Sequence, residues 1–183
     1  MKGANTIRTA SGKYVNVVEP DYNSIRVEDI AHALSQVNRY NGHYPYPLSV
    51  AEHSLKVLEK VKKKHPNASP KLKLHALLHD ASEAYLLDFP RPIKKEMKGY
   101  WGFEQTFMDL IFKKVGIEEA DFQKEVEEAD AEVFNDEWSL WQNWNSADLT
   151  EEKRRSLFKP YYFYKDLFLK TFYELMREKE LYK

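Results

Sequence analysis

From Val27 onward the apolar residues recur at three- and four-residue intervals, and this period limits what the chain can fold into. Ile30, Leu34 and Val37 follow it, predicting a helix over Val27 to Val37. Ser49 begins a capping-box pattern with Glu52 reaching back, which predicts a helix over Val50 to Lys64. Ser69-Pro70 is a second start signal, predicting a helix over Pro70 to Leu86 that Phe89-Pro-Arg-Pro92 stops. Further helices are predicted over Tyr100 to Lys114, Glu119 to Trp144 and Leu149 to Glu180. Pro160 should break or kink the last of these, and Asp148 is a candidate N-cap for it. Strand character is confined to Ile7 to Pro20, where Tyr14, Val15, Val17 and Val18 suit a short hairpin or an extended arm. The expectation is an all-α, compact helical bundle with a short extended N-terminal arm or hairpin. One domain over residues 1–183 suits the length, with a tail over 148–183 packed on the same domain.

Composition removes several kinds of function. The 28 basic residues nearly balance the 29 acidic ones, so a broad surface for nucleic acid is not expected. The absence of cysteine excludes disulfides, thiolate zinc sites and cysteine nucleophiles, so a transition metal would need His, Asp or Glu. The N-terminus lacks the apolar core of a signal peptide, and no apolar run reaches the length of a membrane span. The expected location is the cytoplasm, that of a host if the chain is phage-encoded.

The informative residues are polar ones on apolar helix faces. His53 lies three residues after Val50 and four before Val57. His79-Asp80 follows Leu74, Leu77 and Leu78. Asp130 lies four after Val126 and three before Val133, and an unpaired carboxylate buried there would cost several kcal/mol. Each alone reads equally as a satisfied core polar group. Together they form a nitrogen and oxygen ligand set suited to a divalent cation. Neighbouring helix positions point about 100° apart, so His79 and Asp80 can both ligate only a metal held close against their helix. Glu83, one turn after His79, could orient or deprotonate a metal-bound water; otherwise it is a solvent-facing residue. Asp88, just past the expected helix end, could enter the same cavity or simply serve a turn.

His53, His79-Asp80 and Asp130 together resemble the H…HD…D signature of the HD-domain metal-dependent phosphohydrolases. The flanking segments strengthen the resemblance: Ser49-Val-Ala-Glu-His-Ser54, Leu77-Leu-His-Asp-Ala-Ser-Glu-Ala84, Asp88-Phe-Pro-Arg-Pro-Ile-Lys94, Glu128-Ala-Asp-Ala131 and Asn38-Arg39-Tyr-Asn-Gly-His43. They resemble the 5′-deoxynucleotidase branch, which includes phage dATP triphosphohydrolases, with the motifs falling within residues 30–138. The resemblance implies an HD-domain bundle holding one divalent transition metal (Co, Mn, Zn or Fe, with Mg possible for a polyphosphate substrate) on His53, His79, Asp80 and Asp130. It implies Glu83 and Asp88 as catalytic carboxylates, Arg39 on the phosphoryl group and Lys94 near phosphate. The implied reaction is hydrolysis of a deoxynucleotide, deoxyadenine nucleotides favoured. The implied partners are a small-molecule nucleotide and further copies of the chain, as a dimer or higher assembly. A non-catalytic nucleotide-sensing or metal-binding HD module is the alternative, and a metal-free helical interaction protein a third.

Tyr40, beside Arg39, could stack on a base or pack; His43 could line the pocket. His32 and His65 read as surface residues, and His75 as packing or support for the site. Tyr164, Phe168, Phe172 and Leu175 read as core or dimer interface, and Lys60, Lys62, Lys63 and Lys64 as a solvated helix end.

Overall fold

In the computed structural model, which describes residues 3–118 and 122–181, Thr6–Arg8 (β1) and Tyr14–Asn16 (β2) pair antiparallel. Gly12, at φ +80°, makes the turn between them, a conformation open to glycine at little cost. Fully buried Val15 pins this hairpin to the core. The buried Asp29 carboxylate holds its tip by accepting from Thr9 Oγ1 at 2.8 Å, Ser11 N at 2.7 Å and Ser11 Oγ at 2.7 Å.

Most of the rest of the described chain is helical. It comprises Val27–Leu34 (α1), Val50–Lys64 (α2), Pro70–Leu78 (α3), Glu83–Leu86 (α4), Arg91–Glu96 (α5), Tyr100–Val115 (α6), Gln123–Gln142 (α7), Glu151–Leu157 (α8) and Tyr161–Leu181 (α9). α2 lies centrally against α3, α7 and α9, while α9 also covers α1 and α3. One hydrophobic core runs from Val15 through α2 and α3 to Phe168, Phe172 and Leu175 of α9. The aromatic tail is therefore part of the core. A smaller cluster gathers Tyr44, Tyr46 and Leu48 under Tyr40, Trp141 and Trp144. Among the described residues no helix is long and apolar enough to cross a membrane.

Several boundaries differ from expectation, each for a local reason. α1 ends at Leu34 because residues 37–39 are drawn into extended pairing with 48–50: Val50 N donates to Val37 O, and Arg39 N to Leu48 O, both at 2.9 Å. The helix expected over Pro70 to Leu86 is two helices. The His79 ring approaches the Ala76 carbonyl at 3.0 Å, and the backbone tightens to three-residue bonds, Ala81 N to Leu78 O and Glu83 N to Asp80 O. α5 was not anticipated; it begins at Arg91-Pro92, where proline suits a first turn. α7 stops two residues before Trp144, and the expected start at Glu119 lies outside the described residues. Pro160 separates α8 from α9 outright, and Thr150 rather than Asp148 caps α8, its Oγ1 accepting Lys153 N at 3.2 Å. Ser49 caps α2, but the Glu52 carboxylate turns to Tyr46 Oη at 2.9 Å and Lys56 Nζ at 2.8 Å instead of back to the helix start. Lys60 and Lys64 are paired with acidic residues of α7 rather than simply solvated.

Candidate metal centre

The α2 stripe carries His53 inward to complete burial. Its Nδ1 lies 3.1 Å from Glu137 Oε1. A carboxylate can only accept, so Nδ1–H donates to Glu137; a neutral ring then turns its Nε2 lone pair inward. His79 is arranged alike: its Nδ1 faces the Ala76 carbonyl at 3.0 Å, which turns Nε2 inward toward the same carboxylates. Both Nε2 atoms are buried without a hydrogen-bond partner. Orphaned buried nitrogens are costly unless something electrophilic meets them.

Carboxylates converge on these same atoms. His53 Nε2 lies 3.0 Å from Asp130 Oδ1 and 3.7 Å from Asp80 Oδ2. His79 Nε2 lies 3.2 Å from Asp80 Oδ2 and 4.0 Å from Asp130 Oδ1. Ligands at right angles on a cation with bonds of about 2.1 Å stand roughly 3 Å apart, so these spacings suit a common ion. One atom each from His53, His79 and Asp130 falls within a 4.8 Å set, and this group can hold a metal ion. The tightened turn after α3 places Asp80 beside both imidazoles although it neighbours His79 in sequence.

Electrostatics point the same way. Asp80, Glu83, Asp88, Asp130 and Glu137 are gathered around two largely buried cations, Arg39 and Lys94. Burial works against ionising Asp80, but His79, His53 and Arg39 outweigh it and hold its carboxyl far below the ordinary range. Burial likewise opposes charging His79, and the neighbouring Asp80 and Asp130 raise its pKa nonetheless. Burial, Asp80 and Asp88 together push the Glu83 carboxyl well up, against the pull of Lys94. Such an excess of carboxylate favours a bound cation.

Around this centre the other expected residues divide. Arg39 reaches in from a turn in which Tyr40, Asn41 and Gly42 all have φ between +52° and +75°. Left-handed backbone at Tyr40 and Asn41 costs of order 1 kcal/mol each, so tertiary contacts must hold this turn. Arg39 Nε donates to Glu137 Oε2 at 3.1 Å, and its Nη1 lies 3.9 Å from Asp80 Oδ2. Asp88 follows Leu87, held at φ +70°, and lines an open cleft of about 350 Å³ with Asn38, Asn41 and Phe89. Burial raises its pKa above the usual aspartate value. Lys94, expected near phosphate, meets Glu83 Oε1 at 3.1 Å and Glu104 Oε1 at 3.0 Å. Tyr40 packs between Tyr44 and Trp141 and donates its hydroxyl to Glu137 at 3.0 Å. His43 is exposed and stands outside this network. His75 is buried against Phe112, with ring centroids 4.7 Å apart, and packs. His32 and His65 are half-buried rather than fully on the surface.

Glu137 is the residue that sequence reasoning missed. It joins His53, Arg39 and Tyr40 through one buried carboxylate, and its own carbonyl accepts Tyr44 Oη at 2.7 Å. A signal for it existed: Val126, Asp130, Val133 and Glu137 form a single helical stripe on α7. Arg91, fully in solvent at 87% side-chain exposure, approaches Asp130 Oδ2 at 3.7 Å from outside.

No family model matches the chain. It is similar to the uncharacterised protein RCAP_rcc00048 of Rhodobacter capsulatus, 37% identical over 113 residues, covering 60% of this chain and 58% of that protein. It is also similar to the uncharacterised protein YfdR of Escherichia coli, 32% identical over 111 residues, covering 61% of this chain and 58% of that protein. The chain thus matches less than two thirds of the length of each of these curated relatives.

Proposed function

We propose that the chain is an HD-type, metal-dependent phosphohydrolase of deoxynucleotides, with His53, His79, Asp80 and Asp130 as ligands of one divalent cation. One observation carries the reading: two buried imidazoles, each with Nδ1 held by an acceptor, turn their Nε2 atoms toward Asp80 and Asp130 at about metal-ligand spacing. When bound, the cation would supply Lewis acidity on phosphoryl oxygen and a water of lowered pKa.

The chain's own residues account for the remaining needs. Glu83, buried and with a raised pKa, accepts the proton of the attacking water. Arg39, held charged by Glu137 and Asp80, offers a fork to the phosphoryl oxygens. Asp88 lines the adjoining cleft, where sugar and leaving oxygen would lie. Water oxygen bonds to the α-phosphorus, the bond from phosphorus to the 5′ oxygen breaks, and that oxygen takes up the proton that Glu83 received from the water. A monophosphate would yield phosphate and a triphosphate would yield triphosphate, with a deoxynucleoside in both cases; deoxyadenine nucleotides are the favoured substrates.

The test is hydrolysis of deoxy- and ribonucleoside mono- and triphosphates with Co²⁺, Mn²⁺, Mg²⁺ or EDTA, with products resolved by chromatography. Metal-dependent turnover that Glu83→Ala abolishes is expected. A metal-loaded protein that turns over none of them would overturn the enzyme and leave the nucleotide-sensing module.

A further inference from the structure

Two of the three Lys94 donors are taken by carboxylates. An ammonium has three N–H bonds. Glu83 Oε1 takes one at 3.1 Å and Glu104 Oε1 a second at 3.0 Å. The ring of Tyr100 stands under the nitrogen, 5.4 Å to its centroid. The side chain is only 11% exposed, and so is shielded from the open cleft. Three elements meet at this nitrogen: α4 carries Glu83, α5 carries Lys94, and α6 carries both Tyr100 and Glu104, one turn apart on the same face. Tyr100 also donates its hydroxyl to the carbonyl of Leu87, the left-handed residue before Asp88, at 3.2 Å. Glu83 is therefore held by one oxygen only. Its Oε2 is buried without a hydrogen-bond partner.

We propose that Glu104, through Lys94, is the positioning device for the Glu83 carboxylate: it fixes Oε1 and leaves Oε2 as the oxygen that receives the water. This assignment rests on the proposed phosphohydrolase reading and deepens it. Lys94 and Glu104 act through Glu83 and do not touch substrate. A two-carboxylate clamp on one ammonium stops the long lysine from swinging to a phosphate and holds the Glu83 rotamer. Substrate binding and metal binding do not depend on the clamp; the rate of the chemical step does.

The experiment compares wild type, Lys94→Met, Lys94→Arg and Glu104→Gln in the full chain loaded with Mn²⁺. It measures bound metal, kcat and KM on the best nucleotide, and, in the diamagnetic Zn²⁺-loaded form, the Lys94 ammonium signal by ¹⁵N NMR. Lys94→Met should keep its metal and its KM within about threefold while kcat falls on the order of 100-fold. Glu104→Gln, the variant that decides the matter should Lys94→Met fail to fold, should lose roughly tenfold in kcat and the slowly exchanging ammonium signal. Lys94→Arg should restore most of kcat. A raised KM at unchanged kcat in Lys94→Met or Glu104→Gln would place Lys94 on the phosphate and overturn this assignment while leaving the phosphohydrolase standing. A metal-loaded wild type without turnover would remove the phosphohydrolase and this assignment together.

Discussion

His53 Nδ1 and Glu137 Oε1 stand 3.1 Å apart, and this contact sets which imidazole nitrogen faces the candidate metal site. Glu137 lies 84 residues further along the chain, on α7, so the tautomer of an α2 side chain is chosen by another helix. Glu137→Gln keeps an acceptor in place but removes the charge that makes the imidazole a stronger ligand. The expected result is a 10- to 100-fold loss of Mn²⁺ or Co²⁺ affinity, by titration calorimetry, with the fold intact by circular dichroism. Unchanged affinity would mean that Glu137 serves Arg39 and Tyr40 alone.

Asp130→Asn replaces a candidate carboxylate ligand by a neutral amide while keeping the shape of the side chain. Bound metal per chain, measured after dialysis, should drop sharply. A metal-free helical protein would lose nothing, since it has no metal to lose.

Chelation should lower stability. An ion present at about 100 times its dissociation constant adds roughly 2.7 kcal/mol to a chain that binds it only when folded. The melting temperature should therefore fall by several degrees on adding EDTA and recover with Mn²⁺ but not with Na⁺. Wild type and Asp130→Asn should differ in this response; identical curves would argue against the site.

The C-terminal helix should be indispensable to the core. Phe168 is fully buried, whereas Phe163 on the same helix is 43% exposed. Phe168→Ala should cost about 3–5 kcal/mol, while Phe163→Ala should stay within about 0.5 kcal/mol of wild type. Denaturant unfolding of the two variants distinguishes a core helix from a detachable tail.

Glu28 offers a pH prediction away from the metal centre. Its Oε1 accepts Tyr173 Oη at 2.7 Å, and that hydrogen bond lowers the Glu28 pKa. A depressed carboxylate pKa means the increment is present above the unfolded value, about 4.3, and disappears as pH falls through the folded value. Because Glu28 is 43% exposed, the effect should stay below about 1 kcal/mol. Tyr173→Phe should raise the Glu28 midpoint in a carbon-13 NMR titration, and the stability gap between the proteins should close at acid pH. A midpoint that does not move would show that the contact is not formed in solution.

Much of the helical frame was legible because helices are local. Ser49 and the apolar spacing after it define α2 from Val50 to Lys64, and the structure has those bounds. His53, His79 and Asp130 stood out because a polar group on an apolar stripe demands a partner, and they do converge. Glu137 carried the same mark on the same stripe as Asp130. Other features carried no local mark. The break after Leu78 interrupts a run that reads as helix throughout, because a side chain bonding back to Ala76 competes with the backbone pattern.

Most coiled segments and their inward faces follow from periods of three to four residues and from caps within one turn. How buried charge is compensated follows from packing. Lys94 closes on Glu83 and Glu104, 11 and 10 residues away, and Arg39 on Glu137, 98 residues away. Those choices turn on distances of about 3 Å between groups on different elements, where removal from water makes each charge seek its nearest opposite. No spacing along the chain encodes that distance, so the identity of each partner emerged only when the helices packed.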